Sequence, residues 1–550
     1  MSFKKSHIIF GLIIICSISL AFKLYTIDFS IPVNSDNLDY TLYAIAHTKG
    51  DFSQSSHRGM GWSLFVFPFF KLIDSDNFLV YSNMIRILSI SVGTISIPVV
   101  YCLGRKFFNE KYSLVIASLF AFEPHLNYNA GFGLSEPLFH LAIIGSFYFV
   151  LNKNSKYIIP SLILAGAAWW IRINGLSIFI IITIIYFLTL RKSPKLFRNY
   201  LIGFALFLIL MSPMLLQKYE QFGDPFYSSY NDIIFAGSFE KLLDENTRNA
   251  SPTVMDYIEK NGFYSFFENF MFGGVYNILW LLSRISFPYL FILIPFGIIF
   301  SFRAFDQDKQ YIKSNWIFIL LSLAFLIVTM AIVPERRYLY YIFPFLIIFC
   351  TIPIQRVVEY GLSTFSFTIK QKNLVLFTFI LIVIILSGYF TIVHFGKPDL
   401  VFENEKMEFA KFAVNNLHGK TLRDFGPAMD YIFYHIMTDS PGKFKTYKIN
   451  SDIKQYQKLT VEGKPFNTIF IYGESLQDII INGKEHELRY IISNENSQFF
   501  YPFLNEIYHA EEKYSYLIKV FDSNDYGFEK LKIKVFEIDY DKFYKFINSQ

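Results

Sequence analysis

Runs of about 20 apolar residues recur along this chain, and nothing in it constrains the fold more, because that is the length of a bilayer crossing. We read roughly eleven spans, at 7–25, 83–103, 113–130, 135–152, 157–171, 173–190, 200–217, 276–300, 314–334, 338–353 and 374–393. Residues 60–73 are apolar but too short, and are expected to be interfacial or re-entrant. An ordinary soluble protein is excluded by a composition that is 53% hydrophobic and 19% aromatic. A formal charge of +5 from 50 basic and 45 acidic residues gives no ground for nucleic-acid binding. Cys16, Cys102 and Cys350 all lie inside apolar runs, so neither a disulfide framework nor a CxxC metal site is available. Lys4 and Lys5 precede the apolar run Ile8 to Phe22 as in a signal peptide. No small-x-small cleavage site follows, so a retained signal-anchor helix is expected.

Orientation follows from where the bases gather. Arg105/Lys106/Lys111, Lys153/Lys156, Arg191/Lys192/Lys195/Arg198, Arg303/Lys309/Lys313 and Arg356/Lys370/Lys372 occupy connections that eleven spans put on the side of Lys4 and Lys5, the cytoplasm. The connection 218–275, with nine acids against four bases, falls opposite. The N-terminus is thus expected inside and the C-terminus outside. The outer face then carries 26–82, the turns 125–134, 172–174 and 334–337, the loop 218–275, and everything after His394. Two domains follow: a helical membrane body over 1–393 and a small extracytoplasmic α/β domain over 394–550. In the latter Phe466 to Gly473 and Leu531 to Ile538 read as strands and Asn496 to Glu512 as helical. No repeat, low-complexity run or flexible linker is evident.

Charges at a membrane are expensive and default to function. Asp36 and Asp39, three residues apart, share one face if Asp36 to Lys49 is a helix. Such a carboxylate can take the proton of an attacking hydroxyl. The pair can instead hold a divalent cation, or simply start a helix with Ser35 or Asp36 as its cap. His57 and Arg58 close the same loop before a Gly-Met-Gly turn, and suit a phosphate or sugar hydroxyl as well as a plain polar loop. Phe122-Glu123-Pro124-His125 and Ser135-Glu136-Pro137-Leu138 flank the next outer turn. There Glu136 begins a helix with Pro137 in its first turn, and also offers a long carboxylate reaching sideways.

Arg172, in Trp169-Trp170-Ile171-Arg172-Ile173-Asn174-Gly175, belongs to an interfacial belt where an arginine can merely snorkel. Glu335-Arg336-Arg337-Tyr338, ahead of Pro344, breaks the charge bias of the outer side. Its adjacent guanidiniums suit a phosphate better than snorkelling explains them. Arg86 and Arg284, inside spans, are further candidates. Together these residues form the layout for cleaving a lipid-linked phosphate ester, with a base for the acceptor and cations for the leaving group.

On Asp36, Ser135-Glu136-Pro137-Leu138 after Pro124, Arg172-Ile173-Asn174-Gly175, and Arg337-Tyr338 before Pro344, the chain resembles the GT-C superfamily of polyprenyl-phosphate-sugar-dependent glycosyltransferases. The likeness covers about residues 1–390 and runs closest to the protein O-mannosyltransferase and aminoarabinose-transferase branch. It implies a sugar donor carried on a dolichyl- or undecaprenyl-type phosphate, and inverting transfer on the outer leaflet. The acceptor is a protein or glycolipid. No cofactor is implied beyond the donor; a divalent cation stays an alternative and no metal ligands are assigned. In its terms Asp36 is the base, with Asp39 beside it. Arg336 or Arg337, with Arg172, holds the donor phosphate, and His57, Arg58, Glu136 and Tyr338 shape the substrate site. The chain departs from the family's Asp-Glu pair, since Asn37 follows Asp36 and the second acid is Asp39. The Trp-Trp-Asp-Tyr-Gly signature of oligosaccharyltransferases is absent, for Asp525-Tyr526-Gly527 has no tryptophan pair before it.

Two rivals make different demands. A transporter or lipid flippase places charges near the midplane, often with broken helices and internal repeats. A receptor-like protein would leave Asp36 and Arg337 dispensable. The tail is expected to cover the active cleft or recognise the acceptor. Asn249-Ala250-Ser251 matches a glycosylation sequon.

Overall fold

A computed structural model describes the protein except residues 1–4, 192–193, 230–233, 239–240, 242–252, 287–288, 304–306, 424–425, 450–465, 497–500 and 550. The sequon at Asn249 lies outside the described residues.

Ten helices lead from the N-terminus to the second large loop: α1 (Lys5–Tyr25), α2 (Ser35–Thr48), α3 (Gly61–Phe70), α4 (Phe78–Phe107), α5 (Glu110–Ala121), α6 (Pro124–Phe132), α7 (Glu136–Val150), α8 (Ile158–Ile171), α9 (Leu176–Thr189) and α10 (Leu196–Phe222). Further apolar helices follow at Gly273–Leu282, Tyr289–Ser301, Lys309–Ile332, Phe343–Arg356 and Ile369–Phe390. Among the described residues six segments are long and apolar enough to cross a membrane, and five apolar helices are shorter. The chain is a mostly helical, multi-pass membrane protein.

Two expected spans are broken. The run 113–130 divides into α5 and α6 because the residue before Pro124 is driven out of the helical region. Glu123 sits there at φ −72°, ψ 118° and caps α6 through the Leu126 amide. The run 276–300 likewise divides at Ser283–Ser286, where Ser286 has φ +48°. The apolar stretch 60–73 is the ten-residue helix α3, too short to cross.

One hydrophobic core runs through the bundle from Ile15 to Val383. α7 packs on α8 and α4, and α8 packs on α10. The Phe147 and Phe318 rings meet the Phe345 ring at 4.8 and 3.9 Å, tying α7 to both Lys309–Ile332 and Phe343–Arg356.

After His394 the chain builds a five-stranded sheet of order β2-β1-β3-β5-β4, with β1 (Gly419–Leu422), β2 (Phe466–Ile469), β3 (Leu488–Asn494), β4 (Leu517–Asp522) and β5 (Ile533–Ile538). β1 pairs in parallel with β2 and β3, while β3, β5 and β4 run antiparallel. The expected strands are present but shorter. Of the helix expected over 496–512, the described residues show Leu504–His509 and a 3-10 turn at Glu511–Lys513, while 497–500 lie outside them. β3 was illegible because it is buried along nearly its whole length and shows no alternation.

The sheet domain does not close its core on itself. Phe409, Tyr431, Phe444 and Val535 share one cluster with Leu38, Tyr43, Trp62 and Tyr81 of the first loop. Ile469, Ile479 and Phe536 share another with Phe270 and Ile332. The tail is therefore seated on both the 26–82 and the 254–332 regions.

Candidate active site

The polar face of α2 is the centre of the site. The helix starts one residue earlier than expected. Its cap position is Asn34, not Ser35 or Asp36, and Ser35 takes φ +51°. Asp36 is thus not spent on the helix end. With Asp39 it faces Arg58, whose Nη2 lies 2.8 Å from Asp36 Oδ1 and 2.9 Å from Asp39 Oδ2, and whose Nε donates to Asp39 at 3.0 Å. The guanidinium also covers the Tyr40 ring at 5.5 Å.

Arg58 is delivered by a turn that only glycine permits. A Cβ on Gly59 or Gly61 would come within 2.4–2.8 Å of the Trp170–Ile171 backbone at the end of α8. The loop before it is clamped from α10. Gln54 donates its amide N–H to Gln221 (2.9 Å) and its side-chain nitrogen to Gln217 (2.7 Å), while the Ser229 amide donates to the Ser56 carbonyl (2.8 Å). His57 Nδ1 meets the Ser55 hydroxyl at 3.2 Å, and that hydroxyl also accepts the Arg58 amide.

Across the site, 301 residues further on, Arg337 brings Nη1 to 2.5 Å from Asp36 Oδ2 and Nε onto Glu335. Its guanidinium lies 5.6 Å from the Tyr338 ring, and that of Arg172 lies 5.5 Å from the same ring. Arg172 takes extended angles where α8 ends, and its Nη1 pairs with Glu136 Oε1 at 2.8 Å. The Ser135 hydroxyl donates to the Tyr40 oxygen at 3.4 Å, joining the start of α7 to α2.

Asp36, Asp39, Arg58, Arg337, Tyr338, Arg172 and Glu136 therefore form one network, alternating acid and base from Asp39 to Glu335. Arg336 departs from it, turning to His125. Arg86 donates to the carbonyls of Asp28 and Ile31, and Arg284 stacks on Trp280 at 3.8 Å, so each has a local partner. Glu335, Tyr40, Glu123 and His125 were not singled out for the site. Three of them stood in quoted motifs, and Glu123, an acid that ends fully buried in an apolar neighbourhood, carried the clearest signal.

The two aspartates are electrostatically distinct. Burial opposes the charge of Asp36, but Arg58 and Arg337 outweigh it and hold the carboxyl well below its ordinary range. Burial pushes Asp39 up, and Arg58 with the weaker pull of Arg423 does not offset it with Asp36 also adding its charge. Arg58 occupies the position between the carboxylates that a cation would take. Among the described residues no group of three or more His, Cys, Asp or Glu side chains is placed to hold a metal ion.

The helical body carrying this network at its helix ends, capped by a mixed sheet, is similar to known membrane proteins in fold and, over one segment, in sequence. The profile of the dolichyl-phosphate-mannose-protein mannosyltransferase family matches residues 69–216. The apo oligosaccharyltransferase of Archaeoglobus fulgidus superposes with TM-score 0.59 at 12% identity, over 94% of this chain and 73% of that one. The same organism's oligosaccharyltransferase AglB, with an inhibitory peptide and a dolichol-phosphate, gives 0.57 at 12%, over 90% and 70%. ArnT of Cupriavidus metallidurans, bound to undecaprenyl phosphate, gives 0.51 at 10%, over 96% and 97%. No curated protein sequence matches significantly. The chain thus shares the fold of these solved membrane-protein structures, and residues 69–216 are similar to the mannosyltransferase family.

Proposed function

We propose that this protein transfers a sugar from a polyprenyl phosphate of the dolichyl or undecaprenyl type to an acceptor hydroxyl, on a protein or glycolipid, at the extracytoplasmic face. The observation that carries this reading is the Asp36 carboxylate shared by Arg58 and Arg337, an acid and two cations from distant parts of the chain in one place. Lipid phosphates bound to the Archaeoglobus and Cupriavidus structures support a donor of that class.

In the step proposed, the acceptor oxygen attacks the anomeric carbon from the face opposite the phosphate. The carbon–oxygen bond to the phosphate breaks with its electron pair leaving on the lipid phosphate, and the acceptor proton passes to Asp36. Because phosphate is a good leaving group, the acceptor needs an ionised carboxylate in position more than a strong base. Asp36, kept ionised by two guanidiniums, meets that need. Asp39 holds Arg58. One cation of the 336–337 turn, with Arg172, balances the charge developing on the leaving phosphate. Orientation follows the charge bias, with N-terminus inside and the sheet domain over residues 394–550 outside, where it covers the cleft or meets the acceptor.

A transporter would need its charges near the midplane, whereas these lie at the start of α2 and α7, the end of α8 and the turn before Phe343. Transfer of labelled sugar from lipid phosphate in membranes carrying Asp36→Asn or Asp39→Asn tests the reading. Undiminished transfer by both variants removes the proposed base.

A further inference from the structure

One charge in the helical body belongs to none of the clusters above. Lys23 stands in the last turn of α1, at the end of an apolar span where a lysine ordinarily reaches out to water. Here it turns inward and is only 3% exposed. Its Nζ donates to the Ser19 hydroxyl (2.5 Å) and to Asn127 Oδ1 (2.8 Å), both neutral groups. Asn127 is fixed in turn by donating Nδ2 to the Ala121 carbonyl (3.0 Å). An ammonium carries three donors, so one N–H remains beyond these acceptors. Among the described residues no carboxylate pairs with it.

Lys23 lines a cavity of about 20 Å³ enclosed by α1, α4, α5, α6 and α7, room for one or two water molecules. The space exists because residue 93 has no side chain: a Cβ there would lie 3.2 Å from Lys23 Cε and 3.6 Å from Pro137 Cβ. On the α7 wall stand Glu136 and His140, one turn apart and 2% and 3% exposed. Glu136 gives Oε1 to Arg172, while its buried Oε2 has no hydrogen-bond partner. His140 hydrogen-bonds to no other described residue. The Ser96 hydroxyl, also in the wall, donates to the Val92 carbonyl and keeps its lone pairs. The walls thus hold a spare donor on α1 and a spare acceptor on α7 that do not meet. Each is costly to bury unmatched. Water donates and accepts at once and satisfies both, whereas the ammonium in the wall opposes a metal ion.

We propose that this cavity is a structural water site coupling Lys23 to Glu136, which makes Lys23 a positioning residue for Arg172. Glu136, held from within by water, keeps the Arg172 guanidinium beside the Phe139 and Tyr338 rings (5.8 and 5.5 Å). Only the last link, from Arg172 to the reaction, rests on the glycosyltransferase reading.

The test uses the full chain in phosphatidylcholine nanodiscs. A map that resolves ordered water is expected to show density in contact with Glu136 Oε2 and joined to Lys23 Nζ directly or through a second water. Gly93→Ala, which puts a methyl group between them, is expected to lose that density. Replacing a buried ammonium that stood alone would be neutral or stabilising. Lys23→Met is expected instead to lower Tm by about 2–4 °C, and this shift largely vanishes in a Glu136→Gln background because the two residues act as a pair. In turnover, Lys23→Met lowers kcat about 3- to 10-fold and leaves the KM of donor and acceptor unchanged. Absence of the density from the wild-type map, a rise in Tm on Lys23→Met, or equal Tm shifts in both backgrounds overturns the site. An unchanged kcat beside intact density and coupling overturns the positioning role. Density and Tm need no sugar transfer, so both persisting in a protein that transfers none would sink the proposed reaction and leave the water site standing.

Discussion

Two polar clusters lie side by side at the helix ends, and they are built to opposite plans. In the network of Asp39, Arg58, Asp36, Arg337 and Glu335 each charge meets an opposite charge. In the chain Glu123–His125–Arg336 the acid is buried at one end and the cation is left open at the other. A closed network holds its members in place and sets their protonation. The difference teaches how one short turn sends two adjacent guanidiniums, Arg336 and Arg337, to different partners.

The sharpest way to break the comparison is at the member two arginines share. Asp36→Asn should lower kcat for sugar transfer about 10²- to 10⁴-fold while lipid-phosphate binding survives; loss of binding with kcat intact would remove Asp36 as the base. Arg337→Gln frees one side of Asp36, and should lower kcat about 100-fold through misplacement of the carboxylate, with donor KM nearly unchanged in steady-state assays.

Next in size is a pH effect. Asp39 is raised and Asp36 is depressed, so as pH falls Asp39 is the first of the two to bind a proton while Asp36 stays ionised. Protonation weakens the hold on Arg58, and activity should fall as Asp39 titrates, at a pH raised from the ordinary aspartate value. Asp39→Asn, a permanent mimic of that state, should work about 10-fold more slowly with a flatter acid limb. An unchanged limb in the variant would detach Asp39 from it.

The smallest expected effect comes from the clamp on the Arg58 loop. Gln217→Ala with Gln221→Ala removes both side-chain partners of Gln54. The double variant should cost about 3-fold in kcat/KM, and none in the affinity for lipid phosphate.

Local pattern made part of this legible. If Asp36 to Lys49 is helical, the spacing puts Asp36 and Asp39 on one face, and the helix is there as α2. Glu136-Pro137 foretold the start of α7. Phe122-Glu123-Pro124 was read only as a flank, although the same proline rule that breaks the span there is what turns Glu123 inward. In the tail, a buried strand such as β3 has no alternation by which to be recognised.

By itself the sequence determined that the chain crosses a membrane many times, which residues begin several helices, and that acids and arginines gather where the spans end. Hydropathy and capping act over a few turns of chain, so they are written locally. Only the tertiary structure decided that Arg58 would bridge two aspartates, that Arg337 would reach an acid 301 residues earlier, and that Arg336 would turn its back on it. Which charges meet is set by how distant helices pack, and no periodicity within either segment records its partner.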